Sequence, residues 1–212
     1  MKTIIFDFDG TLLDSSERHI VVLKDILREE LVNEIPLLDN YLEYKKNGKN
    51  TKNYLIEMCG FNQVVSQKCS FKWEERIEER KYLSFDRLYP DSFELLKQLS
   101  VQYNLVLISA RKQNEDLLWQ IKTHKIIQFF KSIHCVTPRN AMQEKVTCAA
   151  QYRDTARLVV GDTEADLNCA IENQLAFYAL NRGFRSKEFW DAREINSFSD
   201  LSSIWDWLKI WG

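Results

Sequence analysis

The sequence predicts an α/β fold in which a parallel β-sheet has helices on both faces, together with a small all-helical insertion. Short apolar segments alternate with segments of helical periodicity, which is typical of parallel strands joined by helices. The apolar segments are nearly unbroken, as expected for strands that are buried on both faces. One long stretch, residues 15–88, contains helical patterns and no convincing strand.

Five segments are predicted to form the strands of the sheet. They are short and apolar, and they lie at residues 3–8, 104–109, 132–136, 157–161 and 175–180. Apolar residues recur at helical spacing in the segments between them. These helical segments are residues 92–99, 114–124, 143–152 and 165–173. The alternation predicts crossover connections and therefore a parallel sheet.

Residues 15–88 are predicted to form a separate helical domain inserted into the sheet domain. Helical patterns include residues 20–31 and the charged segment 72–81, with breaks at Pro36, at residues 45–53 and near Gly60. The predicted core domain then consists of two segments, residues 1–14 and 89–212. Its last segment, residues 199–211, has apolar residues at helical spacing and is interpreted as a packing helix.

Composition favours an ordinary globular protein without a nucleic-acid or membrane partner. Of the 212 residues, 45% are hydrophobic and 28% are charged, with 29 basic and 31 acidic side chains and a net charge of −2. This balance provides no overall positive field for nucleic acid or an anionic membrane. Asp7 interrupts the amino-terminal apolar run too early for a signal peptide, and no apolar stretch could span a bilayer, so a cytoplasmic location is predicted.

The strongest chemical motif is Asp7-Phe8-Asp9-Gly10-Thr11, directly at the end of the first predicted strand. Ligands of open parallel sheets bind at the carboxyl ends of the strands. Alternation along a strand directs Asp7 and Asp9 to the same side, where two carboxylates repel unless a cation or a shared proton intervenes. The alternative interpretation is a strand that simply enters an Asp-Gly turn.

Two further acids, Asp162 and Asp166, follow another apolar strand and enter a helix. Their four-residue spacing can bring both carboxylates near one point. Alternatively, they cap the helix and interact with its dipole. Together with Asp7 and Asp9 they make an oxygen-rich site suited to a hard cation such as Mg²⁺.

Ser109 and Lys145 are candidate donors to an anion. Ser109 ends an apolar strand, and Lys145 lies early in the helix that leads to the next strand. Each alone has an ordinary explanation, because a serine at a strand end often forms a turn and a surface lysine is usually solvated. Their significance lies in their order relative to the acidic motifs.

In this order the motifs resemble those of the haloacid dehalogenase-like hydrolase superfamily, over nearly the whole chain. The resemblance implies a Rossmann-like core and a helical cap between the first and second motifs, which here is residues 15–88. It implies that Asp7 is the nucleophile that forms an aspartyl-phosphate. It also implies that Asp9 protonates the leaving group and then activates water. Asp9 is replaced in the dehalogenase branch, so its presence favours the phosphatase branch.

The same resemblance assigns the phosphate and metal ligands. It implies that Ser109 and Lys145 bind the transferring phosphoryl group, and backbone N–H groups around Gly10 and Thr11 are expected to complete the phosphate cradle. The implied Mg²⁺ ligands are the carboxylate of Asp7, the backbone carbonyl of Asp9, and the carboxylates of Asp162 and Asp166.

The inserted domain offers further candidates for substrate binding. The polar stretch containing Lys46, Gly48 and Lys49 lies where a cap would present a loop to an anionic substrate, and Arg111 follows Ser109 closely enough to reach one. The alternative is a solvated loop and an ordinary exposed arginine. His19, near the start of the cap, has two interpretations: a residue that lines the entrance and an ordinary helix-surface histidine, of which the second is favoured.

The motifs predict an Mg²⁺-dependent phosphatase that acts on a small phosphorylated metabolite. Two alternatives stay open: a phosphomutase that uses the same aspartyl-phosphate, and a non-catalytic phosphate-binding or regulatory module. The complete set of acids and the large cap favour an enzyme. Sugar phosphates, phosphoglycolate and nucleotides are all compatible with the motifs, and the sequence leaves the oligomeric state open.

Overall fold

The computed structural model describes residues 1–30 and 35–211. Residue 31, the last of the predicted 20–31 helix, and residue 212, the last of the predicted core, lie outside these ranges. The strands are β1 (Thr3–Phe6), β2 (Leu13–Asp14), β3 (Arg87–Leu88), β4 (Asn104–Ala110), β5 (Phe130–Val136), β6 (Ala156–Gly161), β7 (Ala176–Leu180) and β8 (Ser197–Phe198).

Eleven helices are found in the described part of the chain. They are α1 (Ser16–Glu30), α2 (Tyr41–Lys46), α3 (Thr51–Glu57), α4 (Gln63–Arg76), α5 (Arg80–Leu83), α6 (Ser92–Gln102), α7 (Asn114–Thr123), α8 (Ala141–Ala150), α9 (Glu164–Glu172), α10 (Lys187–Asp191) and α11 (Ile204–Trp211). None of these helices combines the length and the apolar character that a membrane crossing requires.

Six strands form one parallel sheet in the order β5-β4-β1-β6-β7-β8, which confirms the predicted α/β, Rossmann-like fold. The chain leaves β1 towards β4 and β5 and then returns to β6 on the other side of β1. The strand order therefore reverses beside β1, and such a switch point opens a crevice at the carboxyl ends of the strands. The predicted strands are all present, whereas the two-residue β8 was not predicted.

The central strands β1, β4 and β6 are buried on both faces, as their continuous apolar residues predicted. Ile4 and Phe6 of β1 contribute to one hydrophobic cluster, while Ile5 belongs to another on the opposite face. In β4, Leu107 and Val106 alternate in the same way. Because successive side chains point to opposite faces, each strand needs apolar residues at every position.

Helices α1–α5 form the inserted region, which we call the cap. It has its own buried cluster, which includes Val22, Leu23 and Tyr41 and is distinct from the two clusters of the sheet. The antiparallel strands β2 and β3, which flank the cap helices in sequence, pair with Leu13 opposite Leu88. The segment 15–88 is therefore not entirely helical: its last two residues form a strand that is too short to leave a sequence pattern. The domain boundaries themselves stay a prediction.

Candidate active site

The predicted catalytic residues converge at the carboxyl ends of the three central strands. Asp7 directly follows β1, Ser109 lies near the end of β4, and Asp162 directly follows β6. The backbone N–H of Asp7 donates to the carbonyl of Val160 at 2.9 Å and so extends the pairing of β1 with β6. Because β1 lies between β4 and β6, residues far apart in sequence meet at one point.

Asp7, Asp162 and Asp166 form a buried acidic cluster, with ligand oxygens that all lie within 4.8 Å of one another. Lys145 Nζ donates to Asp7 Oδ1 at 2.6 Å and to Asp166 Oδ1 at 2.5 Å. One buried ammonium group thus contacts two of the three acids, and the cluster has more acidic than basic groups. A set of close oxygen ligands with this excess fits a hard divalent cation such as Mg²⁺.

The pKa values of these groups reflect the same imbalance. Burial raises the pKa of Asp7 to about 7 against the opposing effect of Lys145, and Asp166 raises it further. Burial, together with the charges of Asp7 and Asp166, raises the pKa of Asp162 well above its ordinary value. Although burial lowers the pKa of Lys145, the two neighbouring carboxylates raise it above normal. A bound cation would stabilise the ionised carboxylates.

The turn after β1 holds the acidic cluster through Gly10 and Thr11. Gly10 has φ +80°, and a Cβ at this position would lie 2.3 Å from Asp162 Oδ2, so the turn requires glycine. The Thr11 hydroxyl donates to Asp162 Oδ1 at 3.2 Å. The Gly10 N–H donates to the Leu13 carbonyl and the Thr11 N–H to that of Phe8. Their predicted binding of phosphate stays a prediction.

Ser109 presents a hydroxyl that lacks a partner. The residue is 1% exposed, and its Oγ makes no hydrogen bond to any described residue. A buried hydroxyl normally finds a partner, because leaving it unsatisfied costs about 1–3 kcal/mol. Such a group at the carboxyl end of β4 is suited to donate to an anionic ligand.

Asp9 is held by two arginines outside the acidic cluster. Arg111 donates through Nε to Asp9 Oδ2 at 2.6 Å and through Nη2 to Oδ1 at 2.8 Å, and Arg18 contacts Oδ1 as well. Although burial raises the pKa of Asp9, the guanidinium groups of Arg111 and Arg18 lower it below its ordinary value. Asp9 is therefore a carboxylate in this arrangement.

This ion-paired group continues into a buried network. Arg111 Nη2 donates to Gln120 Oε1 at 2.8 Å, and Gln120 Nε2 donates to Asp86 Oδ2 at 2.7 Å. Arg18 Nε lies 3.4 Å from Asp86 Oδ1, which closes the ring. Burial raises the pKa of Asp86 to about 7. The network links cap helix α1, core helix α7 and the segment before β3.

The candidate substrate residues divide into two groups. Gly48 and Lys49 line a cleft of about 530 Å³ between the cap and the core. Lys46 and Arg111 are not among the described residues that line it, and Arg111 is only 2% exposed because it binds Asp9. The cleft, which we call the cap–core cleft, is lined by residues that include His19, Lys45 and Trp73 of the cap and Thr163, Phe184 and Arg185 of the core.

Several residues at the site escaped the sequence-based prediction. His19 is buried at 7% exposure and lines the cap–core cleft, so the interpretation as a helix-surface residue was wrong. The Phe184 N–H donates to Asp162 Oδ2 at 2.5 Å. Thr163 forms a capping box with Asp166, a signal that the Thr-x-x-Asp spacing contains. Arg18 had no such signal, because its partners Asp9 and Asp86 lie in other elements and no local spacing rule connects them.

Comparison with known proteins places this geometry in a family. The family model for haloacid dehalogenase-like hydrolases matches residues 4–180. A haloacid dehalogenase-like hydrolase from Streptococcus pneumoniae has a similar structure, with a TM-score of 0.75, 19% sequence identity and coverage of 98% of both chains. No curated protein sequence matches the chain significantly.

Two further solved structures are similar. A predicted phosphatase from Clostridium acetobutylicum gives a TM-score of 0.72 at 19% identity and covers 99% of this chain and 98% of its own. A predicted phosphoglycolate phosphatase from Haemophilus somnus gives a TM-score of 0.71 at 18% identity, with coverage of 99% and 97%. At these identities the likeness shows a shared fold. Because the family model covers most of the chain, this protein belongs to the haloacid dehalogenase-like hydrolase family.

Proposed function

We propose that the protein is an Mg²⁺-dependent phosphatase that hydrolyses a small phosphorylated metabolite through an aspartyl-phosphate on Asp7. The observation that carries the proposal is the meeting of Asp7, Lys145 and the other two acids of the cluster at the end of β1. Family membership supplies the hydrolase chemistry. Relatives of the same fold that are described as predicted phosphatases support the choice of a phosphate ester.

In the first step a carboxylate oxygen of Asp7 attacks phosphorus, and the bond from phosphorus to the leaving oxygen breaks. Lys145 and the Ser109 hydroxyl donate to the phosphoryl oxygens and reduce the repulsion between two anions. Mg²⁺, held by Asp7, Asp162, Asp166 and the Asp9 carbonyl, would neutralise further negative charge when bound. Asp9 gives its proton to the leaving oxygen.

In the second step Asp9 takes a proton from water, and that water attacks the phosphorus of the aspartyl-phosphate. Inorganic phosphate leaves and the Asp7 carboxylate is restored. Arg111 and Arg18 hold Asp9 as a carboxylate, which is the form that accepts this proton. For the first step Asp9 must carry a proton, so it has to leave at least one arginine partner when substrate binds.

The cap is proposed to close over this site and to contact the leaving group. We assign residues 15–88 to the cap domain and residues 1–14 and 89–212 to the core. The cap has its own hydrophobic cluster, and its α1 supplies Arg18 to Asp9. A cover of this kind excludes water during the first step and contributes contacts to the substrate.

Phosphate release from a panel of phosphorylated metabolites and a chromogenic ester tests the proposal. We expect release with Mg²⁺, loss after chelation, and a fall of at least ~10³-fold in kcat for Asp7→Asn, because the nucleophile is removed. Asp154→Asn, an exposed acid distant from the site, serves as the matched control and should retain activity. Circular dichroism checks that both variants fold.

Three results would contradict the proposal. Substantial activity of folded Asp7→Asn would remove the nucleophile assignment. Transfer of the phosphoryl group to a second substrate oxygen without phosphate release would indicate a phosphomutase. Mg²⁺ binding without turnover of any ester would favour a non-catalytic module.

A further inference from the structure

The cap–core cleft lies next to the candidate active site. Two of its lining residues are hydrogen-bonded to site carboxylates: the Phe184 N–H donates to Asp162, and the Thr163 hydroxyl donates to Asp166 Oδ2 at 2.7 Å. A third, His19, is the neighbour in sequence of Arg18, which contacts Asp9. A phosphate at Asp7 would therefore have its leaving group in or near this cleft. The volume of about 530 Å³ is within the range of small-molecule sites.

Lys45 is a cation in this cleft without an acidic partner. Its Nζ lies 3.0 Å from His19 Nδ1 and 4.1 Å from the centre of the Trp73 ring. No carboxylate of the described residues is within ion-pair distance of Lys45, in contrast to Lys49, whose Nζ lies 2.9 Å from Glu57. Desolvation, followed by the positive charges of Arg185 and Arg18, lowers the pKa of Lys45 to about 7.

An isolated ammonium group of this kind is costly for the free protein. Removing a charge from water without a compensating partner is unfavourable, and the charged form is then stabilised by any anion that arrives. His19 cannot supply that charge: desolvation, together with Lys45, holds its pKa well below normal, so the imidazole is neutral. Trp73 offers only the face of its ring.

The remaining charges of the cleft also favour an anion. Lys49, Lys52 and Arg185 line it, and the only acidic side chain among its described lining residues is Glu74. Arg185 Nε donates to Glu164 Oε2 at 2.6 Å. With Glu57 and Glu164 counted beside the cations they pair with, the described residues place four cations against three acids, an excess of one positive charge. The aromatic rings of Trp73 and Phe184 also line this space.

We propose that the cap–core cleft binds a leaving group that carries a second anionic group, a carboxylate or a second phosphate, which Lys45 contacts directly. The preferred substrate is then a small phosphate monoester with an additional negative charge on the part that departs. This inference rests on the proposed phosphatase function. The apolar part of the leaving group lies against Trp73 and Phe184, and the second anion neutralises the ammonium group that has no acidic partner in the free protein.

A series of alkyl monophosphates tests this inference directly. Chains of two to six carbons are compared with the same chains ended by a carboxylate or a second phosphate. We expect a preference of at least ~10-fold in kcat/KM for the chains with an anionic end at the best length. Lys45→Met, which keeps a long apolar side chain, should lose that preference, so that anion-ended and methyl-ended chains of one length have similar kcat/KM.

Binding is measured separately, by calorimetry in Asp7→Asn protein with Mg²⁺, because this readout does not depend on turnover. The anion-ended esters should bind at least ~10-fold more tightly than the methyl-ended ones, and adding Lys45→Met should abolish the difference. Lys81→Met changes an exposed cap lysine that is not among the residues lining the cleft, and it is the matched control. This variant should keep the difference in binding.

The outcomes separate the two proposals. A Lys45-dependent preference in binding without turnover of any ester would support the cleft assignment and contradict the phosphatase. Turnover of methyl-ended and anion-ended chains at equal kcat/KM, with equal binding, would overturn the cleft assignment and leave the phosphatase in place. A preference that survives in folded Lys45→Met protein would also overturn it.

Discussion

Arg111 holds the carboxylate of Asp9 in one orientation. Arg111 makes two parallel hydrogen bonds to the Asp9 carboxylate and a third to Gln120, so its guanidinium plane is fixed from both sides. Such forked pairing sets the orientation of a carboxylate as well as its charge. We therefore expect Arg111 to position Asp9, whereas the sequence predicted a contact with substrate.

Replacing Arg111 by lysine distinguishes these two roles. Lysine keeps the positive charge but cannot make the paired hydrogen bonds, so Asp9 loses its orientation. We expect kcat for a chromogenic ester to fall roughly 10-fold to 100-fold, within the worth of general acid–base catalysis, while KM changes by less than about 3-fold. Arg153→Lys, at an exposed position, should change neither constant. A rise in KM at constant kcat would instead place Arg111 on the substrate.

At the scale of elements, two loops enclose Asp162. The turn after β1 approaches from one side through Gly10, and the loop after β7 approaches from the other through Gly183 and Phe184. A Cβ at Gly183 would lie 2.1 Å from Asp162 Oδ2 and 2.5 Å from the Gly10 carbonyl oxygen. Glycine at this position thus lets the loop backbone reach the acidic cluster.

Gly183→Ala is expected to disturb both stability and metal binding. The added methyl group must displace Asp162 or the loop, at a cost of about 1–3 kcal/mol. For a chain of this length that corresponds to a fall of roughly 2–12 °C in Tm, measurable by thermal denaturation. Because Asp162 shifts as well, Mg²⁺ affinity from calorimetry should also fall.

Gly60→Ala is the matched control for this prediction. Gly60 has φ +72°, and an added Cβ would meet nothing within 4 Å. Alanine there has only the conformational cost of a left-handed residue, about 1–2 kcal/mol, and leaves the acidic cluster untouched. Mg²⁺ affinity should be unchanged. Equal Mg²⁺ affinity in Gly183→Ala and the unchanged protein would contradict the role assigned to Gly183.

Among the helices and strands, some were predictable from the sequence and others were not. The strands of the sheet were predictable because burial on both faces requires continuous apolar segments, and Asp7 and Asp162 were predictable because each directly follows such a strand. The two-residue strands were not predictable, because two residues are too few to form a hydrophobic pattern. The contacts of Arg18 with Asp86 and of Lys45 with Trp73 join distant segments, so nothing in the local sequence indicates them.

At the scale of the whole molecule, the cap and the core have separate hydrophobic clusters and are joined by polar contacts. Leu23 lies in the cap cluster, while Leu107 lies in the cluster on one face of the sheet. The contacts between the two parts include the ring of Arg18, Asp86, Gln120 and Arg111. The rings of His19 and Phe184 also meet across the boundary, with centroids 4.7 Å apart. Such local links contribute less cooperativity than a shared apolar core, so the two parts should open independently.

Hydrogen exchange of Leu23→Ala and Leu107→Ala tests this independence and with it the proposed domain division. Both leucines are fully buried, and each truncation is expected to cost about 2–5 kcal/mol. If the parts open separately, Leu23→Ala should accelerate exchange in α1–α4 and leave exchange in β1, β4 and β6 nearly unchanged. The expected acceleration is roughly 30-fold to several thousand-fold, because about 1.4 kcal/mol corresponds to a factor of ten in the opening equilibrium. Leu107→Ala should do the reverse.

The two variants serve as controls for each other, since both remove the same atoms from fully buried positions. Acceleration of all these elements to the same extent in both variants would show one cooperative unit and would contradict the division at residues 15 and 88. Separate opening has a consequence for the proposed chemistry. A cap that opens while the sheet stays folded can admit substrate and release phosphate without disturbing the acids at the ends of β1 and β6.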